Sequence, residues 1–284
     1  MPGRAAPTAR RIRVGAELRK LRERSGLSST QAAALLGIGQ GQLSNVETAR
    51  FGVSASRVRA MADIYSCDDP EFVEALTGMA EDRSRGWWEG YRDALPGALL
   101  DLAELEHHAT ALRTAHTVHI PGLLQTEDHA REICLQAIPE LSPEAVESRV
   151  AHRVRRQALL HRPDSPAPYQ ATVHEAALRM QFGGPAVARA QLEHLLRMSA
   201  LDHVTIRVIP FGIGSYPGSG QTINYLHGAV PQLDTVQLDQ SHGPAFVDGT
   251  EQMQQYRELF ARLDSLSLTP AESNSFIRDV ADSL

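Results

Sequence analysis

Between residues 14 and 65, apolar side chains recur at three- and four-residue spacing in short runs punctuated by glycine, the pattern of small helices sharing one core. Ser29-Thr30-Gln31-Ala32-Ala33-Ala34-Leu35-Leu36 and Gln40-Gly41-Gln42-Leu43-Ser44-Asn45-Val46-Glu47 read as two helices that meet at Gly37. Gly37 permits a left-handed turn, Ala33 is small where two helices must cross, and Ile38 plugs the corner. Leu43 and Val46, three residues apart, turn inward and leave Gln40, Gln42, Ser44 and Asn45 facing outward. From Ser54 onward Val58, Met61, Ala62 and Tyr65 keep helical spacing and close the unit. Asp69-Pro70 supplies a cap and a first-position proline for a connecting helix over 71–82. Arg83-Ser84-Arg85-Gly86 breaks that helix, so the boundary is expected near 80–86.

The second part opens on Trp87-Trp88, the only tryptophans of the chain, expected to anchor one element to another. The pattern predicts a helix over about 98–115, an extended stretch at 117–121 and a helix from the Thr126 cap to about 137. A further helix starts at Ser142-Pro143-Glu144 and runs to Arg162. Strand-like runs follow at 171–173, 204–209, 222–226 and 235–238, with a helix over 186–201 between the first two. An amphipathic helix covers 250–266, and Thr269-Pro270-Ala271-Glu272 is a capping box that opens the last one. The predicted fold class is mainly α with a smaller β component: an all-α N-terminal domain and an α+β C-terminal domain with a small, largely antiparallel sheet. The expected division is a disordered basic arm at 1–13, a helical domain at 14–67, a connecting helix and linker at 68–86, and the α+β domain at 87–284.

Polar side chains at the start of the second of two crossed helices are where a recognition helix meets base edges. The charge distribution agrees. The first sixty residues carry eleven basic side chains against three acidic ones, Glu17, Glu23 and Glu47, although the whole chain has a net charge of −6. A basic head on an acidic body fits nucleic-acid contact at one end. Arg4, Arg10, Arg11 and Arg13 sit among prolines and small residues, too polar and too short a segment for a signal peptide.

The run Val14-Gly15-Ala16-Glu17-Leu18-Arg19-Lys20-Leu21-Arg22-Glu23-Arg24-Ser25-Gly26-Leu27, continuing to about Tyr65, resembles the XRE-type (Cro/C1-like) helix-turn-helix domain. The resemblance implies double-stranded DNA as partner and a homodimer on paired half-sites. It implies DNA contacts from Ser29, Gln40, Gln42, Ser44, Asn45 and Arg50, with Ser29 standing where the family usually has a phosphate-contacting Gln. It also implies an ion pair between Arg22 and Glu47 that ties the first helix to the recognition helix. Members often carry Arg or Lys on that helix. The Gln and Asn here suit adenine, so A·T-leaning contacts and a weaker phosphate contribution are expected.

A second resemblance covers about 87–284. Ile120-Pro121-Gly122-Leu123-Leu124-Gln125-Thr126-Glu127-Asp128-His129-Ala130-Arg131 is similar to the signature of a poorly characterised actinobacterial domain that follows XRE heads. Glu175-Ala176-Ala177-Leu178-Arg179 and Val208-Ile209-Pro210-Phe211 support it, and His174 stands where members commonly have an acidic residue. The resemblance implies an antitoxin-like regulator group, with a small protein partner encoded nearby or a small-molecule effector, and it supplies no catalytic residues. The expected function is therefore a sequence-specific transcriptional regulator whose C-terminal domain receives a small protein or small-molecule signal. The alternative is an antitoxin-like protein whose DNA binding serves autoregulation.

Composition removes several chemistries. Lys20 is the only lysine, so no phosphate-loop or Schiff-base lysine exists beyond the head. The run Gly212 to Gly220 reads as a long loop between strands that could border a ligand site. Cys67 and Cys134 are too few for a disulfide framework or a zinc site, and the twelve histidines form no metal-binding helix motif. Arg149, Arg153, Arg155 and Arg156 are expected to be a solvated helix face. No enzyme, cofactor or metal is expected, and the absence of an eighteen-residue apolar run points to a cytoplasmic protein.

Overall fold

The computed structural model describes residues 7–82, 84–218, 220–240 and 243–284. The chain divides into two compact units, the first reaching to Glu89 and the second starting at Gly90. Arg4 and Arg83 lie outside the described residues.

The first unit is five helices: α1 (Ala9–Arg24), α2 (Ser29–Leu35), α3 (Gln40–Glu47), α4 (Ala55–Ile64) and α5 (Pro70–Glu81). Side-chain oxygens of Thr8, Ser28, Ser54 and Asp69 cap α1, α2, α4 and α5, so four of the five helix starts are written in short polar residues. Leu18, Leu43, Val58, Met61 and Leu76 are essentially inaccessible and form the centre. Helix α1 starts at Ala9 and takes in Arg10, Arg11 and Arg13 from the expected arm. Arg13 is buried and bonded to Glu17 at 2.8 Å, and Glu17 also accepts from Lys20. The i, i+4 pairing carries the helix back past the point where apolar periodicity begins.

The second unit contains α6 (Gly97–His108), β1 (Ala111–His116), α7 (Glu127–Leu135), α8 (Pro143–Arg156), β2 (Tyr169–His174), α9 (Glu175–Arg179), α10 (Pro185–Met198), β3 (Val204–Ile209), β4 (Ile223–His227), β5 (Thr235–Leu238), β6 (Ala245–Val247), α11 (Thr250–Leu266) and α12 (Pro270–Asp282). The strands form one sheet in the order β3-β2-β1-β4-β5-β6. It is mixed, which corrects the expected largely antiparallel sheet: β1–β2 and β2–β3 are parallel, while β4, β5 and β6 join antiparallel. The parallel pairs need crossovers, through α7–α8 and through α9–α10. Strand β1 also falls where a helix to residue 115 was expected. Helix α6 stops at His108, and pairing on both edges makes 111–116 a central strand despite its helix-compatible composition.

Alternation along the strands sorts the core into two layers. Leu112, Tyr169, Ala171, Val173, Val204, Ile206 and Val208 face one way and pack with Leu192 and Leu195 of α10 and Ile277 and Val280 of α12. Ala115, Ile209, Ile223, Tyr225, Val236 and Leu238 face the other way, onto Met253, Phe260 and Leu263 of α11. Asp264 of α11 accepts from Arg113 at 2.7 Å and Gln170 at 2.6 Å, pinning that helix to β1 and β2. The edge of β3 is closed by α12 and the residues leading into it: Leu268 N donates to Val208 O, and Val208 N donates to Ser273 Oγ.

The signature segment after β1 is a core plug. Ile120, Leu123 and Leu124 are at most 3% exposed, so their backbone enters the interior with them. Three glutamines meet its polar groups. Gln125 Nε2 donates to Ile120 O at 2.6 Å, and Gln157 Nε2 donates to Gln125 O at 2.6 Å. Gln191 Nε2 donates to Leu124 O at 2.7 Å while its Oε1 accepts from Thr126 N at 2.8 Å. Buried backbone groups left unpaired are costly. Gln191→Leu orphans one carbonyl and one amide, and denaturant unfolding should show a loss of roughly 2–4 kcal/mol.

Candidate nucleic-acid interface

Helix α2 ends as its sequence asks. Gly37 adopts φ 64°, its N–H donates to Ala34 O at 3.1 Å, and Ile38 N donates to Ala33 O at 3.0 Å, the two bonds of a Schellman cap. Arg57 of α4 donates to Leu36 O at 3.1 Å and satisfies another terminal carbonyl. The chain re-enters a helix at Gly39, whose carbonyl accepts from Gln42 N at 2.9 Å. These bonds set the angle between α2 and α3.

Two features hold α3 against α1. At Gly15 a Cβ would stand 2.7 Å from the carbonyl oxygens of Val46 and Glu47, so only glycine allows α1 to pass the end of α3 this closely. Seven residues further along α1, Arg22 grips Glu47 with both ends of its fork, Nε to Oε1 at 2.7 Å and Nη2 to Oε2 at 3.0 Å. Both side chains are less than a tenth exposed, and Arg22 Nη1 also donates to Leu27 O. The hydrogen bond to Glu47 holds the Arg22 guanidinium above its ordinary pKa. The buried Tyr65 hydroxyl stands near this pair. Burial first, and the Glu47 charge second, push its pKa up to about 12.

With Leu43 and Val46 buried, the remaining arc of α3 carries Gln40, Gly41, Gln42 and Ser44 exposed and Asn45 half-buried. Ser29 opens α2, half-buried, and its Oγ accepts from Gln40 Nε2 at 3.0 Å, joining the starts of the two helices. Arg50 is exposed in the turn after α3, beyond Ala49 at φ 57°. All six side chains expected to contact DNA therefore belong to α2, α3 and the turn that follows. Gly41 lies at the middle of the exposed arc, and a Cβ there meets nothing within 4 Å. No packing inside this unit requires glycine at that position, although it costs about 1 kcal/mol of helix propensity against Ala.

Sequence reasoning passed over three of these parts: Gly15, Arg57 and the central place of Gly41. Gly15 had a signal, a glycine inside a helical pattern with no capping role. The reach of Arg57 across twenty-one residues to a carbonyl had none. Elsewhere the structure revises the basic face of α8. Arg155 is exposed, but Arg156 is bonded to Glu106 at 2.7 and 2.5 Å and Arg153 turns in to Gln125 at 3.0 Å. His174, in the place of an acidic residue, caps α9 by accepting from Ala176 N at 3.2 Å. No helix among the described residues is long and apolar enough to cross a membrane.

A family model described as a helix-turn-helix domain matches residues 13–75, and a model described as Domain of unknown function (DUF5753) matches residues 99–279. No curated protein and no solved structure matches the chain.

Removing one partner of the buried pair should be costly. Glu47→Ala is expected to destabilise the first unit by roughly 3–5 kcal/mol in thermal unfolding, and an unchanged midpoint would refute a structural role for the pair. Gly15→Ala drives a methyl into two backbone carbonyls and should cost about 1–3 kcal/mol in the same assay.

Proposed function

The chain belongs to the DUF5753 family and carries a helix-turn-helix domain ahead of the family's domain, and from that premise we propose a transcriptional regulator that reads double-stranded DNA through the outer face of α3. A helix-turn-helix domain supports DNA-binding regulation. The observation that carries the finer reading is the exposed polar arc centred on Gly41, backed by the Schellman cap and the buried Arg22–Glu47 pair. Gln40, Gln42 and Asn45 contact base edges, with adenine as the matched base, since an amide offers a donor and an acceptor to N7 and N6 together. Ser44 lies beside them on the same face. Ser29 and Arg50, at the margins, hold phosphates and set the register. Without a side chain at Gly41, the α3 backbone can approach the groove floor closely.

Such a head reads one half-site, so the working form is a homodimer on an inverted repeat with half-sites about 34 Å apart. The second unit receives a signal, a small protein or a small molecule, that alters DNA affinity. The apolar face of α11 is occupied by its own core, which leaves other surfaces for the dimer contact.

In vitro selection from random duplex DNA should enrich an inverted repeat with A·T pairs at the contacted positions. A Gln40→Ala/Gln42→Ala/Asn45→Ala variant should lose that enrichment. Arg50→Ala should weaken binding evenly across sequences and lower the salt slope by about 1. Gly41→Ala should stabilise the free head while weakening its complex with DNA. Enrichment that survives the triple variant would reject this face as the reading surface.

A further inference from the structure

The layer of the sheet that is apolar along β2 and β3 turns polar past Leu112 of β1. Asn224 on β4 pairs with Thr114 of β1 and with Gln237 of β5, and His116, two residues beyond Thr114, shares their face. His116 Nε2 lies 3.3 Å from Asn224 Oδ1, Asn224 donates to Gln237, and Gln237 Nε2 donates to Asp239 at 2.7 Å. Gln237 is wholly inaccessible. This polar row lies at the carboxyl end of β1, the strand where the sheet changes from parallel to antiparallel.

Four further side chains lie near it. His129 of α7 is 1% exposed, and among the described residues neither of its ring nitrogens has a hydrogen-bond partner. His119, two residues before the plug's Pro121, has a buried Nδ1 without a partner among the described residues. Phe182 contacts both rings, at 5.0 Å from His119 and 5.5 Å from His129. Arg153 of α8 donates to the neutral Gln125 Oε1, and among the described residues no carboxylate lies within 4.0 Å of its guanidinium. Its neighbours are mostly cationic or neutral: Arg149, Arg156 already held by Glu106, and the Cys134 thiol. The charge of Asp239 acts on His116, His119 and Arg153 together.

Burial pushes His129 down to about 4 and also lowers His119, so at neutral pH both imidazoles are uncharged, each with one N–H to give, while the N–H of His116 is already committed to Asn224 Oδ1. Arg153 has five N–H donors and one neutral acceptor in place. Buried donors are normally matched, and unmatched ones point to an occupant. A cation is disfavoured by Arg153, and among the described residues no group of three His, Cys, Asp or Glu side chains is placed to hold a metal. An oxyanion that offers two oxygens, as a carboxylate or a phosphate does, fits the guanidinium fork, with the imidazole N–H groups as further donors.

We propose that Arg153, His119 and His129, closed by Phe182, form a binding site for a small oxyanion, a carboxylate or phosphate group. Thr117, two residues before His119, donates its hydroxyl to Gly220 O at 2.9 Å. The regulatory meaning of the site rests on the second unit being a signal receiver. Its existence does not, because binding is measured without DNA.

Full-length protein is titrated with sodium phosphate and with sodium acetate, each against sodium chloride at equal ionic strength, by calorimetry and by thermal denaturation. A saturable rise in melting temperature with phosphate or acetate is expected, and whichever salt produces it assigns the group. Arg153→Gln and His129→Leu should weaken binding roughly tenfold or more. His129→Leu breaks no hydrogen bond in the protein, so it should fold even if Arg153→Gln does not. Asp239→Asn, at an exposed position, should tighten binding by removing the competing charge. Identical melting in all three salts, or binding unchanged in His129→Leu, would overturn the site. Oxyanion binding that leaves DNA affinity unaltered would uphold the site and reject only the receiver reading.

Discussion

Strand β1 is paired on both edges and covered on both faces, and the second unit is organised around that one constraint. Its parallel bond to β2 forces the chain to leave over the sheet through α7 and α8 before returning. Its antiparallel bond to β4 brings the strand that follows β3 back across to its other side. After His116 the chain leaves the sheet. It turns inward as the Ile120–Leu124 plug, whose backbone needs Gln125, Gln157 and Gln191 to be tolerable in the interior. The signature segment is thus a solution to a burial problem, with apolar side chains for the core and amide side chains for the backbone that comes with them.

The same economy governs the first unit at smaller scale. A helix-turn-helix must hold an eight-residue helix, too short to be stable alone, at a fixed angle with one face left free. Gly15 sets the distance between α1 and α3, Arg22 and Glu47 set the register, and Gly37 with Arg57 terminates α2. All of these bonds are made on the inner side, which is why the polar side chains of the outer side are free of structural duty apart from the Ser29–Gln40 bond.

The polar interior at the end of β1 follows from the plug as well. Gln125 spends its amide nitrogen on Ile120 and turns its oxygen to Arg153, drawing an arginine inward with a neutral partner. Arg156, one turn along α8, is neutralised by Glu106, whereas among the described residues no carboxylate is bonded to Arg153. Two arginines of one helix thus enter the interior under opposite electrostatic conditions. The unbalanced one stands beside the histidines whose nitrogens are unmatched.

Local chemistry alone determined most element starts, since caps such as Asp69-Pro70, Thr126, Ser142-Pro143 and Thr269 to Glu272 act within a few residues of themselves. It also determined the outward residues of α3, because helical periodicity and the burial of Leu43 and Val46 leave no other face. The Arg22–Glu47 pair came through family resemblance, not through spacing. Only the tertiary structure decided that 111–116 is a strand, because Ala, Leu and Arg favour a helix until two neighbouring strands claim both edges. Strand direction was likewise hidden: a buried run of Val and Ile reads the same from either end, and only the crossovers distinguish parallel from antiparallel. The gathering of His116, His119, His129, Arg153 and Asp239 was illegible for the same reason. These residues span more than a hundred positions, and no local periodicity records what a sheet brings together.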